Sequence, residues 1–239
     1  MKILITGASS GLGKDFAYIG AKEGYDLILV ARRKELLKEI KNGIEKKYKV
    51  SVSIHVLDLT KEENLKKLQK SEPNIDILIN NAGFGSSGNF QTLDYQKESD
   101  MVALNVKTLM QLTHLYSKNL IKNKGKILNV ASVAGFIPGP KMATYFATKA
   151  FVLSFSEALH QEFKGKVSVT CLCPGATETE FQTVAGFPPK GVPSYPVALA
   201  GYKGMMKGKA IVVPGFGNKI ITFLPRILPR GIVRKLVDR

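Results

Sequence analysis

Lys2-Ile-Leu-Ile-Thr-Gly-Ala-Ser-Ser-Gly-Leu-Gly13 is the stretch whose reading decides how this chain folds. Lys2 to Thr6 is a short apolar run with branched side chains, the pattern of a strand covered on both faces. The glycines that follow are spaced G-x-x-x-G-x-G, and Leu12, Phe16 and Ile19 then mark one face of a helix. A strand, a glycine turn and a helix in that order let backbone approach a pyrophosphate and seat it on the helix N-terminus. Gly7, Ser9, Ser10, Gly11, Leu12 and Gly13 are therefore candidate nucleotide contacts. The commoner dinucleotide fingerprint is G-x-G-x-x-G, so the spacing alone also fits a flexible loop; the position between strand and helix favours the phosphate cradle.

The same alternation continues outward. Short apolar runs lie at 26–30, 51–57, 76–80, 126–131, 167–172 and 210–213. Between them, Leu36, Leu37, Ile40, Ile44 and Tyr48 mark a second helix face. Leu104, Leu109 and Leu112 help mark a long fourth helix, and Phe151, Phe155, Leu159 and Phe163 a fifth. Strands alternating with helices predict an α/β fold, a doubly wound parallel seven-stranded sheet flanked by helices on both faces. No repeat, low-complexity block or linker divides the 239 residues, so one domain is expected over 1–239.

In such folds ligands bind beyond the carboxyl ends of the strands. There, after the second run, Val30-Ala-Arg-Arg33 carries two guanidiniums where an NAD site usually has an acid for the ribose 2′-hydroxyl. Arginine forks match a phosphate in shape and charge. Arg32, with Arg33 as the weaker choice, is read as the 2′-phosphate clamp of an NADP(H) site; the alternative is that both simply open the second helix into solvent. Further along, Tyr145 and Lys149 stand four residues apart, on one helix face. A nearby ammonium favours phenolate, so the pair is expected to draw the tyrosine down from its ordinary pKa of ~10. A tyrosine so placed can pass a proton to or from a substrate oxygen. Alone, the spacing equally fits a half-buried ring beside a solvated lysine.

Composition narrows the function classes. With 44% hydrophobic and 23% charged residues the chain reads as an ordinary soluble globular protein. No apolar run reaches the roughly 18 residues of a spanning helix. The first strand begins at Lys2, which leaves no room for a cleavable signal peptide. Cys171 and Cys173 share one strand face without histidine or acid neighbours, so they read as reduced thiols of a cytoplasmic protein, and no metal is expected. The net charge of +16 is partly solvated helix surface, where lysines at 34–49 and 61–70 interleave with glutamates. Its other concentration lies at 203–239, with nine basic residues against one acid, Asp238. Without aromatic–basic interleaving, a zinc finger or a helix-turn-helix signature, specific nucleic-acid binding is not expected.

Taken together these residues resemble the short-chain dehydrogenase/reductase family in its single-domain form, motif by motif over residues 1 to about 180 and more loosely over 181–213. The resemblance implies a Rossmann-type fold and an NADP-dependent carbonyl reductase or alcohol dehydrogenase. It assigns Thr6–Gly13 to the glycine motif, and Asp58, with Leu59, to the adenine contact. Asn81, Ala82 and Gly83 of Asn80-Asn-Ala-Gly83 fall on the adenine–ribose side. Pro174 and Gly175 match the motif after the sixth strand, and Thr177 and Thr179 would hold the nicotinamide amide. The catalytic group would be Asn105, Ser132, Tyr145 and Lys149, with Tyr145 as general acid, Ser132 on the same substrate oxygen, Lys149 also on the nicotinamide ribose, and Asn105 holding a water. Serine nucleophilic catalysis is set aside, since Ser132 has no G-x-S-x-G elbow and His55, His114 and His160 sit in no activating motif.

The expected substrate is an apolar ketone or alcohol. Ser132 and Tyr145 would meet its oxygen, and Phe84, Phe136, Phe181 and Phe187 would wall it, with Ile137, Pro138 and Val184 nearby. The alternatives are a 3-oxoacyl thioester on an acyl carrier protein or coenzyme A, and a non-catalytic NADP-binding sensor or scaffold. Residues 176–206 are expected to form a substrate loop or lid, with Gly186 and the nearby prolines at its bend. The basic, apolar tail at 214–239 would cover the cleft, join subunits of a homodimer or homotetramer, or touch an anionic membrane surface weakly, in that order.

Overall fold

The computed structural model describes residues 1–188 and 190–237; Asp238 and Arg239 of the expected tail lie outside them. The first half alternates β1 (Lys2–Thr6), α1 (Gly11–Lys22), β2 (Asp26–Ala31), α2 (Lys34–Lys47), β3 (Val52–Val56), α3 (Glu62–Ser71) and β4 (Ile77–Asn80). Then come α4 (Tyr95–Val102), a π-helical segment (Ala103–Thr108), α5 (Leu109–Lys122), β5 (Lys126–Val130), α6 (Ala143–Glu162) and β6 (Ser168–Leu172). The remainder is β7 (Thr177–Glu178), α7 (Glu180–Ala185), β8 (Val192–Pro193), α8 (Ser194–Met206), β9 (Ile211–Val212), α9 (Phe216–Ile227) and α10 (Arg230–Val237).

Seven strands form one parallel sheet in the order β3-β2-β1-β4-β5-β6-β9, which bears out the expected architecture. Ile5 pairs with Leu29 on one side and Ile79 on the other. The chain leaves β1 through β2 and β3 and returns on its other side through β4, so the crevice opens at the carboxyl ends of β1 and β4. Period-two alternation explains why the runs are apolar throughout. Ile3, Ile5, Leu27, Leu29, Ile77 and Ile79 face α1, α2 and α8. Leu4, Ile28, Val30, Leu78 and Ile127 face α3, α5 and α6. Each fully buried side chain of this size contributes roughly 1.5–3 kcal/mol over leaving it in water.

Two expectations change. Residues 194–206 are no part of a lid: they fold as α8, whose Val197, Ala198, Gly201 and Met205 are buried, with Gly201 against Leu172 and Gly204 against Val212. The excursion over the cleft shrinks to 179–191, of which Pro189 lies outside the described residues, and is closed at its base where β7 pairs with β8. The tail, for its part, does not line the cleft among the described residues 214–237. It forms α9 and α10, and α9 packs beside the short 3-10 turn Val133–Phe136.

Candidate active site

A cleft of about 1490 Å³ runs along the carboxyl ends of the strands. Gly7, Ser9, Ser10, Gly11 and Leu12 line it at the β1–α1 turn. Gly7 has φ +65°, and a Cβ on Gly13 would lie 2.2 Å from the Gly7 carbonyl oxygen, so the turn admits side chains at neither position. Gly13 does not itself line the cleft; it lets α1 close against the turn. Thr6 and Asn81 brace this bend. The Thr6 hydroxyl accepts the N–H groups of Asn81 and Ala82, each at 3.0 Å, and the Asn81 amide donates to the carbonyls of Thr6 and Gly7 at 3.0 and 3.2 Å. Asn81 thus sets the shape of the turn as well as lining the cleft with Ala82 and Gly83.

Both arginines line the cleft, in different ways. Arg33 donates to Ser9 Oγ at 3.2 and 3.0 Å and to Ser10 Oγ at 2.7 Å, and it pairs with Glu180 Oε2 at 2.6 Å. It therefore ties the glycine turn to the first residue of α7. Although burial opposes it, hydrogen bonds from Arg33 and Ser10 hold the Glu180 carboxyl below the usual range. No hydrogen bond or ion pair of the Arg32 side chain occurs among the described residues, and its charge faces Asp58. Burial again opposes, but the Thr60 N–H and hydroxyl (3.0 and 2.8 Å) and then Arg32 keep Asp58 ionised. Leu59 lines the cleft next to it and is buried.

On the cleft's other flank Ser132, Tyr145 and Lys149 come together at the end of β5 and the start of α6. Ser132 Oγ accepts the Ala134 N–H at 3.1 Å, donates to the Pro174 carbonyl at 3.3 Å, and lies within hydrogen-bonding reach of the Tyr145 phenol. Lys149 Nζ donates to the Val130 carbonyl at 2.9 Å and stands 5.8 Å from the centre of the Tyr145 ring. The expected lowering of the tyrosine pKa is not what this geometry produces. Burial pushes Tyr145 up to about 12, more than the Ser132 hydrogen bond offsets, and pushes Lys149 down to about 8. The two pKa values are driven apart, because desolvation penalises the charged form of each: phenolate on Tyr145 and ammonium on Lys149.

Asn105 sits in the π-helical segment, where the widened turn aims it at the loop after β4. Its Oδ1 accepts the Phe84 N–H at 3.1 Å, and its Nδ2 donates to the Phe84 carbonyl at 2.9 Å and to Thr148 Oγ1 at 3.1 Å. It is buried behind Gly83 and does not line the cleft.

Pro174, Gly175, Thr177 and Thr179 line the cleft, and so do Phe84, Ile137, Phe181, Val184 and Phe187. Phe136 does not. It packs outward with Leu109, Ala131, Val152 and Leu153, and the Arg226 guanidinium covers its ring at 5.8 Å. The reason is the 3-10 turn, which puts Ile137 and Phe136 on different sides. Met142 and Phe146 complete the apolar wall, and Phe181 tilts over Tyr145 with ring centres 5.1 Å apart. The sequence reading missed Phe146 and Glu180, whereas Met142 ends the loop 133–142 that it placed along the pocket. The helix period i, i+1 and i+4 around Tyr145 could have flagged Phe146, but no spacing links Glu180 to Arg33. Phe187 is 42% exposed, at the rim. Ser87 Oγ donates to the Ala185 carbonyl at 2.7 Å, joining α7 to the opposite loop, and Gly186 caps α7 in the left-handed conformation. Of the histidines, His55 meets Glu72 at 3.2 Å, His160 meets the Val169 carbonyl at 2.7 Å, and His114 is exposed; none lines the cleft. Cys171 and Cys173 are free, buried and 3.7 Å apart, and no cluster suited to a metal occurs among the described residues.

The chain is similar to known proteins in sequence and in fold. The family described as short chain dehydrogenase matches residues 1–186. A very-long-chain 3-oxoacyl-CoA reductase of Laccaria bicolor is 38% identical over 168 residues, 67% of this chain and 50% of that protein. The chain thus spans about half the length of such relatives. A short-chain dehydrogenase from Sphingobium yanoikuyae, solved in complex with NADPH, is 32% identical, with a TM-score of 0.85 over 90% of this chain and 88% of that one. The bulky-bulky ketone specific alcohol dehydrogenase of Comamonas testosteroni is 29% identical, with a TM-score of 0.82 over 96% and 95%. With the sheet order, the glycine turn and the Ser132–Tyr145–Lys149 cluster already in hand, this match settles the family: the chain belongs to the short chain dehydrogenases.

Proposed function

We propose that the chain is an NADPH-dependent ketone reductase, and in reverse an alcohol dehydrogenase, acting on an apolar substrate. One observation carries the reading: Ser132, Tyr145 and Lys149 share a single cleft with the glycine turn and two arginines, between apolar walls. The cleft suits a nicotinamide dinucleotide, because the turn leaves no room for a Cβ where backbone must meet pyrophosphate. Its volume of about 1490 Å³ exceeds the ~300–1,000 Å³ of a single small-ligand pocket. Residues 7–13 would hold the pyrophosphate, Asp58, Leu59 and 81–83 the adenosine, Arg32 and Arg33 the 2′-phosphate, and Pro174, Gly175, Thr177 and Thr179 the nicotinamide side.

NADPH, when bound, supplies the hydride that reduces the carbonyl carbon. The substrate oxygen keeps the electron pair of the broken π bond and takes the phenolic proton of Tyr145. Burial favours this role, since a phenol at about 12 stays protonated through neutral pH. Ser132 would hydrogen-bond the same oxygen as its charge develops. Lys149, at about 8, is close enough to working pH to return a proton to the tyrosine. Asn105 acts as a positioning residue here, through its bonds to Phe84 and Thr148.

A second reading, a 3-oxoacyl thioester reductase, is favoured by the Laccaria bicolor relative and by Lys97 and Lys190, which line the cleft and suit an acyl carrier's phosphates. Turnover of bulky aromatic ketones against 3-oxoacyl thioesters, followed by NADPH absorbance, separates the two. The ketone reading expects higher kcat/KM for the free ketones, and the reverse order would replace it. Arg32→Asp is expected to move preference towards NADH; unchanged preference in this variant would leave Arg33 as the phosphate's partner.

A further inference from the structure

We propose that α9 and α10 form a docking platform for an anionic lipid surface. Helix α9 is amphipathic the wrong way round for a globular protein. The side facing the body is Asn218, Thr222 and Pro225, whereas Phe216, Ile220, Phe223 and Ile227, spaced four, three and four residues apart, form an exposed stripe. Phe216 is 79% exposed and Ile227 63%. Helix α10 continues the pattern, burying Val233 and exposing Ile232 and Leu236. Residues 214–237 carry Lys219, Arg226, Arg230, Arg234 and Lys235 and no acid. A helix with one apolar face flanked by cations lies in the plane of a bilayer interface, its apolar side among the acyl chains and its charges at the headgroups. No described helix is long and apolar enough to cross a membrane, so the contact is with the surface.

The charge selects the occupant. A second copy meeting the first through this stripe would set these cations against their own equivalents with no acid among the described residues 214–237 to answer them, which a two-fold interface disfavours. Anionic headgroups answer them directly.

The platform also adjoins the cleft. Asn218 closes on Gly175, where a Cβ would meet its side chain at 2.5 Å, and Arg226 covers Phe136 at the end of the turn that begins after Ser132. An apolar substrate dissolved in the lipid would then leave it beside the substrate loops; that consequence rests on the ketone-reductase reading, whereas the docking does not.

Vesicle co-sedimentation of the purified chain tests the docking without any turnover. Binding is expected to phosphatidylcholine vesicles containing roughly 30% phosphatidylserine and not to phosphatidylcholine alone. It should weaken several-fold when salt rises from about 0.1 to 0.5 M. Phe223→Glu with Ile227→Glu should cut partitioning at least about tenfold while leaving turnover of a water-soluble ketone unchanged, which also reports that the variant is folded. Lys219→Glu with Arg234→Glu should do the same by removing charge alone. Absent binding to the anionic vesicles, or binding that survives both variants, overturns the proposal. So does a concentration-dependent dimer in sedimentation equilibrium that the apolar pair of substitutions abolishes, since the stripe would then belong to a second copy.

Discussion

The two sides of the cleft are held in place differently. Tyr145 and Lys149 are 8% and 5% exposed, and Ser132 and Lys149 are tied to backbone groups of β5 and its neighbours. Across from them the 179–191 excursion rests on fewer ties: the half-exposed Arg33–Glu180 pair, the Ser87–Ala185 hydrogen bond, a 3.4 Å bond from Lys97 to the Val184 carbonyl, and the Phe181 ring on Tyr145. Buried groups tied to a sheet cannot relax cheaply, whereas a short segment held largely by exposed polar contacts and one ring contact opens at lower cost. Chemistry should therefore depend on the first side and substrate retention on the second.

Tyr145→Phe is the strongest way to break that division. Removing the proton donor should lower kcat by about 10²–10⁴-fold with KM little changed and the fold intact. Retained kcat would mean that the proton comes from elsewhere. Phe181→Ala strikes the other side. The ring packs over Tyr145 and lines the cleft, so its loss should raise KM for an apolar ketone roughly tenfold and change kcat much less. If kcat fell instead, Phe181 would be orienting the phenol, and the two sides would not be separable.

Stability gives a subtler probe. Lys149 is a base whose pKa in the fold, about 8, lies below its ordinary 10.5. Between those values the unfolded chain binds the proton and the fold does not, so stability rises with pH there. Tyr145 acts in the opposite sense at higher pH: raised from 10.0 to about 12, it makes stability fall across that interval. The buried ammonium thus costs up to roughly 3 kcal/mol at neutral pH. Lys149→Met removes that cost, along with the bond to the Val130 carbonyl, whose loss is the same at every pH. The Tm of the variant relative to the parent should accordingly be highest near pH 7 and decline by several degrees towards pH 10, in thermal melts. A flat difference would show that Lys149 is better solvated than its burial implies.

How much of this was legible beforehand follows from what periodicity and local motifs encode. Sheet, strand runs and glycine turn are local patterns, and they survive almost residue for residue, from Lys2–Thr6 to Ser168–Leu172. The Tyr145–Lys149 pair was readable because one helix turn fixes its spacing, whereas Ser132 joined it only through the family resemblance, since a turn and loop separate it from α6. Phe136 was not, since which side of a 3-10 turn a ring faces depends on what packs against it, here Leu109, Val152 and Arg226. The pKa of Tyr145 was misjudged because a lysine four residues away is visible in sequence and desolvation is not. Helix α8 fell inside the expected lid because Gly186 and the prolines mark a bend without marking where it ends; the contact with Leu172 and α1 puts the helix in the core.

Glu180 is the smallest lever and the one that connects the two sides. Its carboxylate neutralises a guanidinium that the cofactor reading assigns to a 2′-phosphate, and it does so from the first residue of α7. A phosphate arriving at Arg33 would compete with that carboxylate, so part of its binding energy would go into releasing the excursion. An exposed ion pair of this kind contributes only about 0–1 kcal/mol, which limits the effect to roughly fivefold. Glu180→Gln should therefore tighten NADPH by a few-fold, leave NADH unchanged because it has no 2′-phosphate, and make the bond after Lys190 more accessible to trypsin without cofactor. Equal tightening of both nucleotides would mean that Glu180 screens the whole pyrophosphate site, and Arg33 would then serve the glycine turn alone.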